Sequence, residues 1–440
     1  MSIELLTILL LITMMILFAA GIPIALGLGG LAMLVGYFVW GPECFKLIHS
    51  STMSGITGYL LSAVPLFIFM GQILRNSGLS EAMFQSIYVL SGRLPGGLAV
   101  GVIIICSMLA AMTGVMSAGI MTAGLVAIPP MLKRGYNKHL TLGAVMAGGG
   151  LGILIPPSVV MIFFCMVTKT SIGKMFAAGL IPGLIMSLSF IVYIIIRCLI
   201  NPKLAPPLPK EEFRGIGNKI IAVRDSGISF GLIFLVLGSI LFGVATPTES
   251  AAIGGVGAII IAIIYRKFGW RVLREASINT AGMTGMLVWI VIGVSVFNDF
   301  YMFMGAADMF KRFFIGGFKN PWTVIIMMQI SLFILGFVMD EIVLILMVAG
   351  PLYTPIAVSL GFDPIWFGIL IILNTELAIQ TPPYGFALFF MKAAAPPDIT
   401  MLDIYKSVTP FLLIKIGNLA LCMAFPEIVL WLPNLLFTSP

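Results

Sequence analysis

Charged residues are scarce in this chain. Of its 440 residues, only 9% are Asp, Glu, Lys or Arg, whereas 60% are hydrophobic. A water-soluble protein of this length needs far more polar surface, so the composition predicts an all-α polytopic membrane protein embedded in a phospholipid bilayer. A membrane β-barrel would show segments of about ten residues with alternating hydrophobicity, and this pattern is missing.

Residues that support catalysis, metal binding or redox chemistry are also few. The five cysteines are scattered without a CxxC pair, and the two histidines, His49 and His139, fall near predicted membrane edges. Neither pattern suggests a metal or redox centre. The chain has no GxxxxGK[ST] motif, which excludes ATP hydrolysis by a P-loop. Its net charge of +7 lies in loops, which favours the positive-inside rule over nucleic-acid binding.

Glycine and proline are concentrated at two interruptions of the apolar runs. The first break, 148–158, has four glycines and two prolines in eleven residues, and the second break is 374–385. Because proline removes a backbone donor and glycine weakens a helix, continuous helices are not expected there. Two broken apolar segments at matching positions in two halves are typical of a transporter's binding site.

The two breaks belong to an internal repeat. Several prolines and one glycine recur at a constant offset of 226 residues: Pro95 and Pro321, Pro129 and Pro355, Gly135 and Gly361, Pro156 and Pro382, Pro157 and Pro383. A repeat of this length implies two fused copies of one structural unit. We predict a first repeat at 1–200, a cytoplasmic linker at 201–225 and a second repeat at 226–440.

Each repeat is predicted to contain five spans and one re-entrant helical hairpin, which gives about ten transmembrane spans in the chain. The hairpins are expected at 96–132 and 322–358, and the broken spans at 140–167 and 365–390. Two ordinary spans in place of the first hairpin are the alternative. An odd number of spans per half inverts the second repeat relative to the first.

The basic residues predict the orientation. With both termini in the periplasm, seventeen of the 24 Lys and Arg residues face the cytoplasm and six face the other side. The remaining one, Lys415, is left inside the last span, which we place at 406–430. Residues 267–277 are predicted to lie on the membrane surface.

A broken helix at bilayer depth exposes backbone groups that must line a protein cavity. Free carbonyls at half-helix C-termini suit a cation such as sodium, and half-helix N-termini suit an anion. Each hairpin tip is expected to meet the break of its own half. The first sodium site combines Thr113, Gly114, Ser117, Gly149, Gly150, Gly152, Ile155, Pro156 and Ser158. The second combines Met339, Asp340, Asn374, Thr375, Gln380, Thr381 and Pro382. The alternative is that the breaks are only structural kinks.

Polar residues near the breaks are the candidates for substrate contacts. They are Ser117, Ser158, Asn374, Glu376, Thr381, Tyr384 and Gly385. Acidic residues inside a bilayer are costly and usually functional, and Asp340 is the better candidate for a cation-linked role. For Glu376 the alternatives are a substrate contact, a peripheral ion pair with Lys415, or a contact with a partner subunit.

Three motifs make the chain resemble the large, DctM-like membrane subunit of the tripartite ATP-independent periplasmic (TRAP) transporters. They are Gly149–Ser158 (GGLGILIPPS), Ala245–Ala252 (ATPTESAA) and Thr381–Gly385 (TPPYG). The likeness runs from end to end. Three positions depart from the family's pattern: Val115, where the family often has serine, Glu376 and Tyr384. Without a serine hydroxyl at 115, the first sodium site would depend on backbone carbonyls.

The resemblance implies a sodium-coupled elevator transporter in a bacterial inner membrane, not an enzyme. It also implies two partners, a small four-span membrane subunit and a periplasmic substrate-binding protein, and a small organic anion as substrate. Carboxylates, sugar acids and sulfonates all suit an anion-binding half-helix. The alternative is a sodium/dicarboxylate-type carrier of the same superfamily that needs no binding protein.

Overall fold

The structure is a computed structural model that describes residues 3–78, 96–206, 216–318, 320–383 and 385–437. The first half contains nine α-helices: α1 Ile3–Ala19, α2 Ile24–Trp40, α3 Cys44–Ile56, α4 Ala63–Asn76, α5 Gly97–Thr113, α6 Met116–Lys133, α7 Lys138–Gly150, α8 Val159–Thr168 and α9 Ile172–Ile200, among the residues described.

The second half contains eleven α-helices within the same described ranges: α10 Ile216–Leu241, α11 Pro247–Ile264, α12 Trp270–Phe303, α13 Ala306–Gly317, α14 Pro321–Leu335, α15 Glu341–Leu344, α16 Thr354–Ser359, α17 Pro364–Ala378, α18 Phe386–Ala394, α19 Met401–Ala424 and α20 Glu427–Phe437. A π-helical segment, Ile345–Tyr353, joins α15 to α16 without interruption.

The helices are those of a membrane protein. Eight helical stretches in the described part of the chain are long and apolar enough to cross a bilayer, and further apolar helices have 10–17 residues. Large apolar side chains such as Phe38, Phe234 and Trp270 project outward and are 72–86% exposed. A lipid environment accounts for such outward apolar surface. The all-α membrane fold is therefore confirmed, and the number of spans stays a prediction.

Helices of the two halves interlock reciprocally. Helix α2 packs against α12, and α4 packs against α11. By the 226-residue offset, α4 corresponds to α12 and α2 corresponds approximately to α11. The same reciprocity recurs around the breaks, where α7 packs against α19 and α17 packs against α9. An internal two-fold relation between the halves requires such swapped pairs.

Each predicted hairpin region forms two helical arms. Helices α5 and α6 pack together and are joined by Gly114 and Val115. The tip is shorter than the predicted 113–117, because Thr113 ends α5 and Ser117 already lies in α6. In the second half, α14 and α15 are joined by residues 336–340. Its two arms, together with α1, α12 and α13, line a mainly apolar cavity of about 270 Å³, and one hydrogen bond of 2.9 Å joins the hydroxyls of Ser331 and Tyr353.

Both broken spans are interrupted where the sequence predicts. Helix α7 ends at Gly150, a single 3-10 turn follows at Leu151–Ile153, and α8 begins at Val159. Helix α17 ends at Ala378, and α18 begins at Phe386. The Pro156–Pro157 and Pro382–Pro383 peptide bonds are both cis. The two breaks thus share position and backbone geometry.

Three predicted boundaries differ from the structure. The backbone is helical from Ile216, so the linker predicted at 201–225 overlaps the start of α10. The surface segment predicted at 267–277 continues into the 34-residue helix α12, because no proline interrupts residues 270–303. The last span predicted at 406–430 is two helices that are separated at Phe425 and Pro426.

Candidate functional site

The first tip lies directly on the first break. The amide of Val159, at the start of α8, donates a 3.2 Å hydrogen bond to the carbonyl oxygen of Gly114. A Cβ atom at Gly114 would stand 2.7 Å from the Pro157 carbonyl oxygen, and one at Gly152 would stand 3.3 Å from the Val115 carbonyl oxygen. Only glycine permits the backbone approach at Gly114, which also has a φ of +63°. The predicted pairing of this tip and break is present in the fold.

Helix packing continues this contact away from the tip. Gly149, in the last turn of α7, faces Gly119 and Ile120 of α6, where the Gly149 carbonyl oxygen is 3.4 Å from the position of a Cβ at Gly119. Gly149, Gly150, Gly152, Ile155 and Pro156 are all buried. Of the other predicted first-site residues, Ser117 is half-buried, and the side chain of Thr113 lies outside the described part of the structure.

Ser158 organises the start of α8. Its hydroxyl donates to the carbonyl oxygen of Ile153 at 2.7 Å and accepts from the amide of Met161 at 3.4 Å. The side chain is fully buried and caps the helix. A serine at this position satisfies one of the orphan amides of the helix N-terminus, and the neighbouring amide of Val159 is satisfied by the Gly114 carbonyl oxygen of the first tip.

The second break is stabilised by hydrogen bonds between residues of the same segment. The Thr381 hydroxyl donates to the carbonyl oxygen of Leu377 at 2.7 Å, and the Gly385 amide donates to the carbonyl oxygen of Thr381 at 3.2 Å. A Cβ at Gly385 would collide with the backbone of Ile379, so this position requires glycine. Pro382 is half-buried, and Tyr384 lies outside the described residues.

The second tip approaches its break one turn before the predicted residues. Gly336 lies against Ala378, at the end of α17. A Cβ atom placed on Gly336 would stand 2.6 Å from the Cβ atom of Ala378. Met339 is buried, and the half-buried Asp340 caps α15 by accepting from the amide of Ile342 at 3.0 Å. The tip and the break therefore meet through the Gly336 turn, and Asp340 contacts its own helix.

Asn374 ties α17 to the hairpin arm α14. Its side-chain amide donates to the Gln329 backbone oxygen at 2.6 Å and to the Gln329 side-chain oxygen at 2.7 Å. The Asn374 Oδ1 and Thr375 Oγ1 atoms are buried without a hydrogen-bond partner among the described residues. Sequence reasoning missed Gln329, although a single amide inside the apolar stretch of α14 was the available signal.

The two breaks meet at a buried ion pair. Glu376 Oε1 lies 2.8 Å from Lys415 Nζ, and both side chains are fully buried. Lys415 Nζ also donates to Gln380 Oε1 at 2.8 Å, and Gln380 Nε2 donates to the Met146 carbonyl oxygen of α7 at 3.1 Å. Of the alternatives for Glu376, pairing with Lys415 is present. The peripheral location is wrong, because both side chains of the pair are fully buried.

Gln380 also departs from its predicted partners. It was expected in a site with the second tip, but its side chain bridges α19 in the second half of the chain to α7 in the first half. Gly150 of the first break packs onto the same cluster, and a Cβ there would stand 2.9 Å from Lys415 Nζ. The side chains of Glu376, Gln380 and Lys415 thus connect the two breaks, which were predicted to form separate sites.

Together, the interlocked halves and the paired broken helices with buried polar groups define a polytopic membrane protein of the transporter class. The fold is similar to the solved structure of the YdaH transporter of Alcanivorax borkumensis, with a TM-score of 0.65 at 12% identity over 94% of this chain and 98% of that chain.

The family follows from the sequence comparisons. Residues 11–428 match the family of the DctM component of tripartite ATP-independent periplasmic transporters. The chain is 31% identical to the C4-dicarboxylate TRAP transporter large permease protein DctM of Vibrio cholerae, over 94% of this chain and 95% of that protein. It is 30% identical to the ectoine TRAP transporter large permease protein TeaC of Halomonas elongata, over 97% and 98%.

The chain therefore belongs to the DctM family of TRAP transporter large permeases, which confirms the resemblance seen in the sequence. Its relatives are permease subunits, so the expectation that it is not an enzyme is also confirmed. Other relatives include a sialic acid permease and an isethionate permease named DctMQ, of which the chain covers 63%.

Proposed function

We propose that this permease is the sodium-coupled subunit of an importer for a small organic anion and that it works by an elevator mechanism. The observation that carries the proposal is the contact of the first tip with the first break, at a point where helix α7 ends inside the protein. Buried carbonyl oxygens at a half-helix C-terminus are suited to a small cation.

Sodium enters this proposal as a co-transported substrate. The first sodium position would lie between Gly114–Ser117 and Gly149–Ser158 and would use mainly backbone oxygens, because the Ser158 hydroxyl is already engaged with Ile153. The second would lie near Met339, Asp340 and the residues 374–382. The unpartnered Oδ1 of Asn374 and Oγ1 of Thr375 support it, because buried oxygens without partners are costly unless a ligand completes them.

The anion is assigned to the N-termini of α8 and α18. These half-helices begin at the two breaks, next to Ser158 and Gly385, and the N-terminus of a helix carries partial positive charge. Lys415 is not free to neutralise a substrate, because Glu376 and Gln380 already occupy it. Relatives named for C4-dicarboxylates, sialic acid and isethionate support a carboxylate, sugar acid or sulfonate.

The partners we propose are a small four-span membrane subunit and a periplasmic binding protein, in a bacterial inner membrane with both termini of the chain in the periplasm. The extra length of the relative DctMQ supports a second membrane component. The asymmetric distribution of basic residues supports the orientation.

Reconstitution tests the proposal. Proteoliposomes with this chain and its small subunit are given an inward sodium gradient, with or without the binding protein loaded with its anion. Binding assays on that protein identify the anion beforehand. We expect uptake only with both sodium and the binding protein. Uptake by the membrane subunits alone would favour the binding-protein-independent carrier, and uptake that is indifferent to sodium would refute the coupling.

Variants at the second site sharpen the test. Thr381→Ala is expected to weaken the sodium dependence of uptake far more than it lowers stability. Thr409→Ala is the matched control, because its hydroxyl makes the same bond to the carbonyl four residues earlier, on an exposed position of α19. Equal sodium dependence in the two variants would argue against a sodium ligand at Thr381.

A further inference from the structure

The ammonium group of Lys415 lies where a bound cation is expected. The side chain projects from the middle of α19 and is fully buried, with oxygen atoms of Glu376 and Gln380 each 2.8 Å from Nζ. A carboxylate oxygen and an amide oxygen are hard ligands of the kind that hold small metal cations in proteins. The lysine nitrogen takes the central position in this set.

The same nitrogen lies at the C-terminal end of a helix. Gly150 is the last residue of the 13-residue helix α7, and a Cβ at Gly150 would stand 2.9 Å from Lys415 Nζ. Gln380 fixes this arrangement, since its amide bonds to the Met146 carbonyl in the last turns of the same helix. The final carbonyls of a helix carry partial negative charge and favour a cation within about one turn.

The carboxylate of Glu376 is incompletely satisfied. Both of its oxygens are buried without a hydrogen-bond partner among the described residues, although Oε1 lies 2.8 Å from the ammonium in the ion pair. A buried carboxylate oxygen is costly to leave without a partner. The acidic side of the cluster therefore retains coordinating capacity beyond what the lysine uses.

We propose that Glu376, Gln380 and the C-terminus of α7 form a third cation site that Lys415 fills permanently as a tethered cation. Because the ammonium is covalently attached, its charge stays with the protein and is never released. The free-energy cost of removing this cation from water arises only once, when the protein folds. The two breaks then stay joined without an ion from solution. The site borders the two proposed positions of transported sodium, because it shares the end of α7 with the first and the segment 374–382 with the second, but it does not depend on which ion drives uptake.

The proposal predicts a gain of cation binding when the tether is removed. Lys415→Ala leaves the carboxylate uncompensated and leaves space where the side chain was. We expect this variant to be unstable in choline chloride and to be restored by NaCl or LiCl of equal ionic strength. At a free sodium concentration about 100 times the dissociation constant of the site, the ratio of folded to unfolded protein should rise about 100-fold.

Two control variants isolate the site. Lys415→Met also removes the charge but fills most of the space, so its instability should not be rescued by sodium. Lys415→Ala combined with Glu376→Gln removes the carboxylate, so the extra response to sodium should disappear. The measurement is the thermal unfolding of the purified full-length chain with its small subunit, with sodium titrated against choline, and the wild type supplies the response of the transported-sodium sites.

A sodium response in Lys415→Ala that equals that of wild type would overturn the proposal. If Lys415→Ala cannot be purified in choline, purification in sodium or lithium replaces the titration. Recovery only in those salts supports the site. Failure in every salt, while the double variant is recovered in all of them, would show that no cation compensates the carboxylate and would refute the proposal.

Discussion

Gly114 offers the sharpest test of the contact between the first tip and the first break. Substitution by alanine places a Cβ 2.7 Å from the Pro157 carbonyl oxygen and 3.2 Å from the Val159 amide nitrogen, both of which are backbone atoms. The residue also has a φ of +63°, which costs a non-glycine residue about 1–2 kcal/mol. The tip must therefore move away from the break.

The expected loss follows from these contacts. Movement of the tip breaks the 3.2 Å hydrogen bond from Val159 to Gly114, for which the net contribution is about 0.5–1.5 kcal/mol. Together with the backbone cost, Gly114→Ala should lower the free energy of unfolding by about 1.5–3.5 kcal/mol. Gly361→Ala is the matched control, since its φ is +88° and nothing lies within 4 Å of its Cβ position. It should lose only the backbone part.

Two assays read out the pair of variants. Thermal unfolding in detergent compares their stabilities, and the difference between them isolates the contact at the break. Sodium-dependent uptake in proteoliposomes should show a raised half-saturating sodium concentration for Gly114→Ala and an unchanged one for Gly361→Ala. Equal stability losses together with equal sodium dependences would refute the assignment of this contact to the first sodium site.

Three further outcomes are expected. Ser158→Ala should lower the free energy of unfolding by about 2 kcal/mol, because a buried helix cap is lost and the Ile153 carbonyl loses its donor. Ser171→Ala removes an exposed helix cap and is the control, which should lose about 0.5–1 kcal/mol in the same unfolding assay. Lys415→Met should cost about 3–5 kcal/mol, and its combination with Glu376→Gln should cost less than the sum of the single changes in a double-mutant cycle. Asp340→Ala should lose about 1 kcal/mol as a cap but most of the sodium dependence of uptake, and an unaltered sodium titration would argue against its cation-linked role.

Much of the architecture was predictable because it depends on local chemistry. The low content of charge and the long apolar runs indicate membrane helices wherever the chain lies. Proline and glycine act on their own turn of backbone, so both breaks were located correctly, at Gly150–Val159 and Ala378–Phe386. The errors fall where such a signal was absent or was overlooked: no proline stops the long helix α12, and Pro426 divides the predicted last span.

The contacts between distant side chains were not predictable in the same way. An isolated lysine or glutamine in an apolar helix shows that this side chain needs a polar partner. The sequence of the helix does not specify which neighbouring helix supplies that partner. Gln380 was expected beside the second tip, yet it bonds to Met146, 234 residues away in the first half of the chain. Asn374 likewise bonds to Gln329 of α14.

By itself, the sequence determined the class of protein and the positions of the two breaks, because composition and helix-breaking residues act over a few turns of backbone. Only the tertiary structure decided that the breaks meet and that Glu376, Lys415 and Gln380 join them in the buried interior. The physical reason is that an uncompensated charge inside a membrane protein must find its partner through packing, and the packing of α7, α17 and α19 is set by the whole fold.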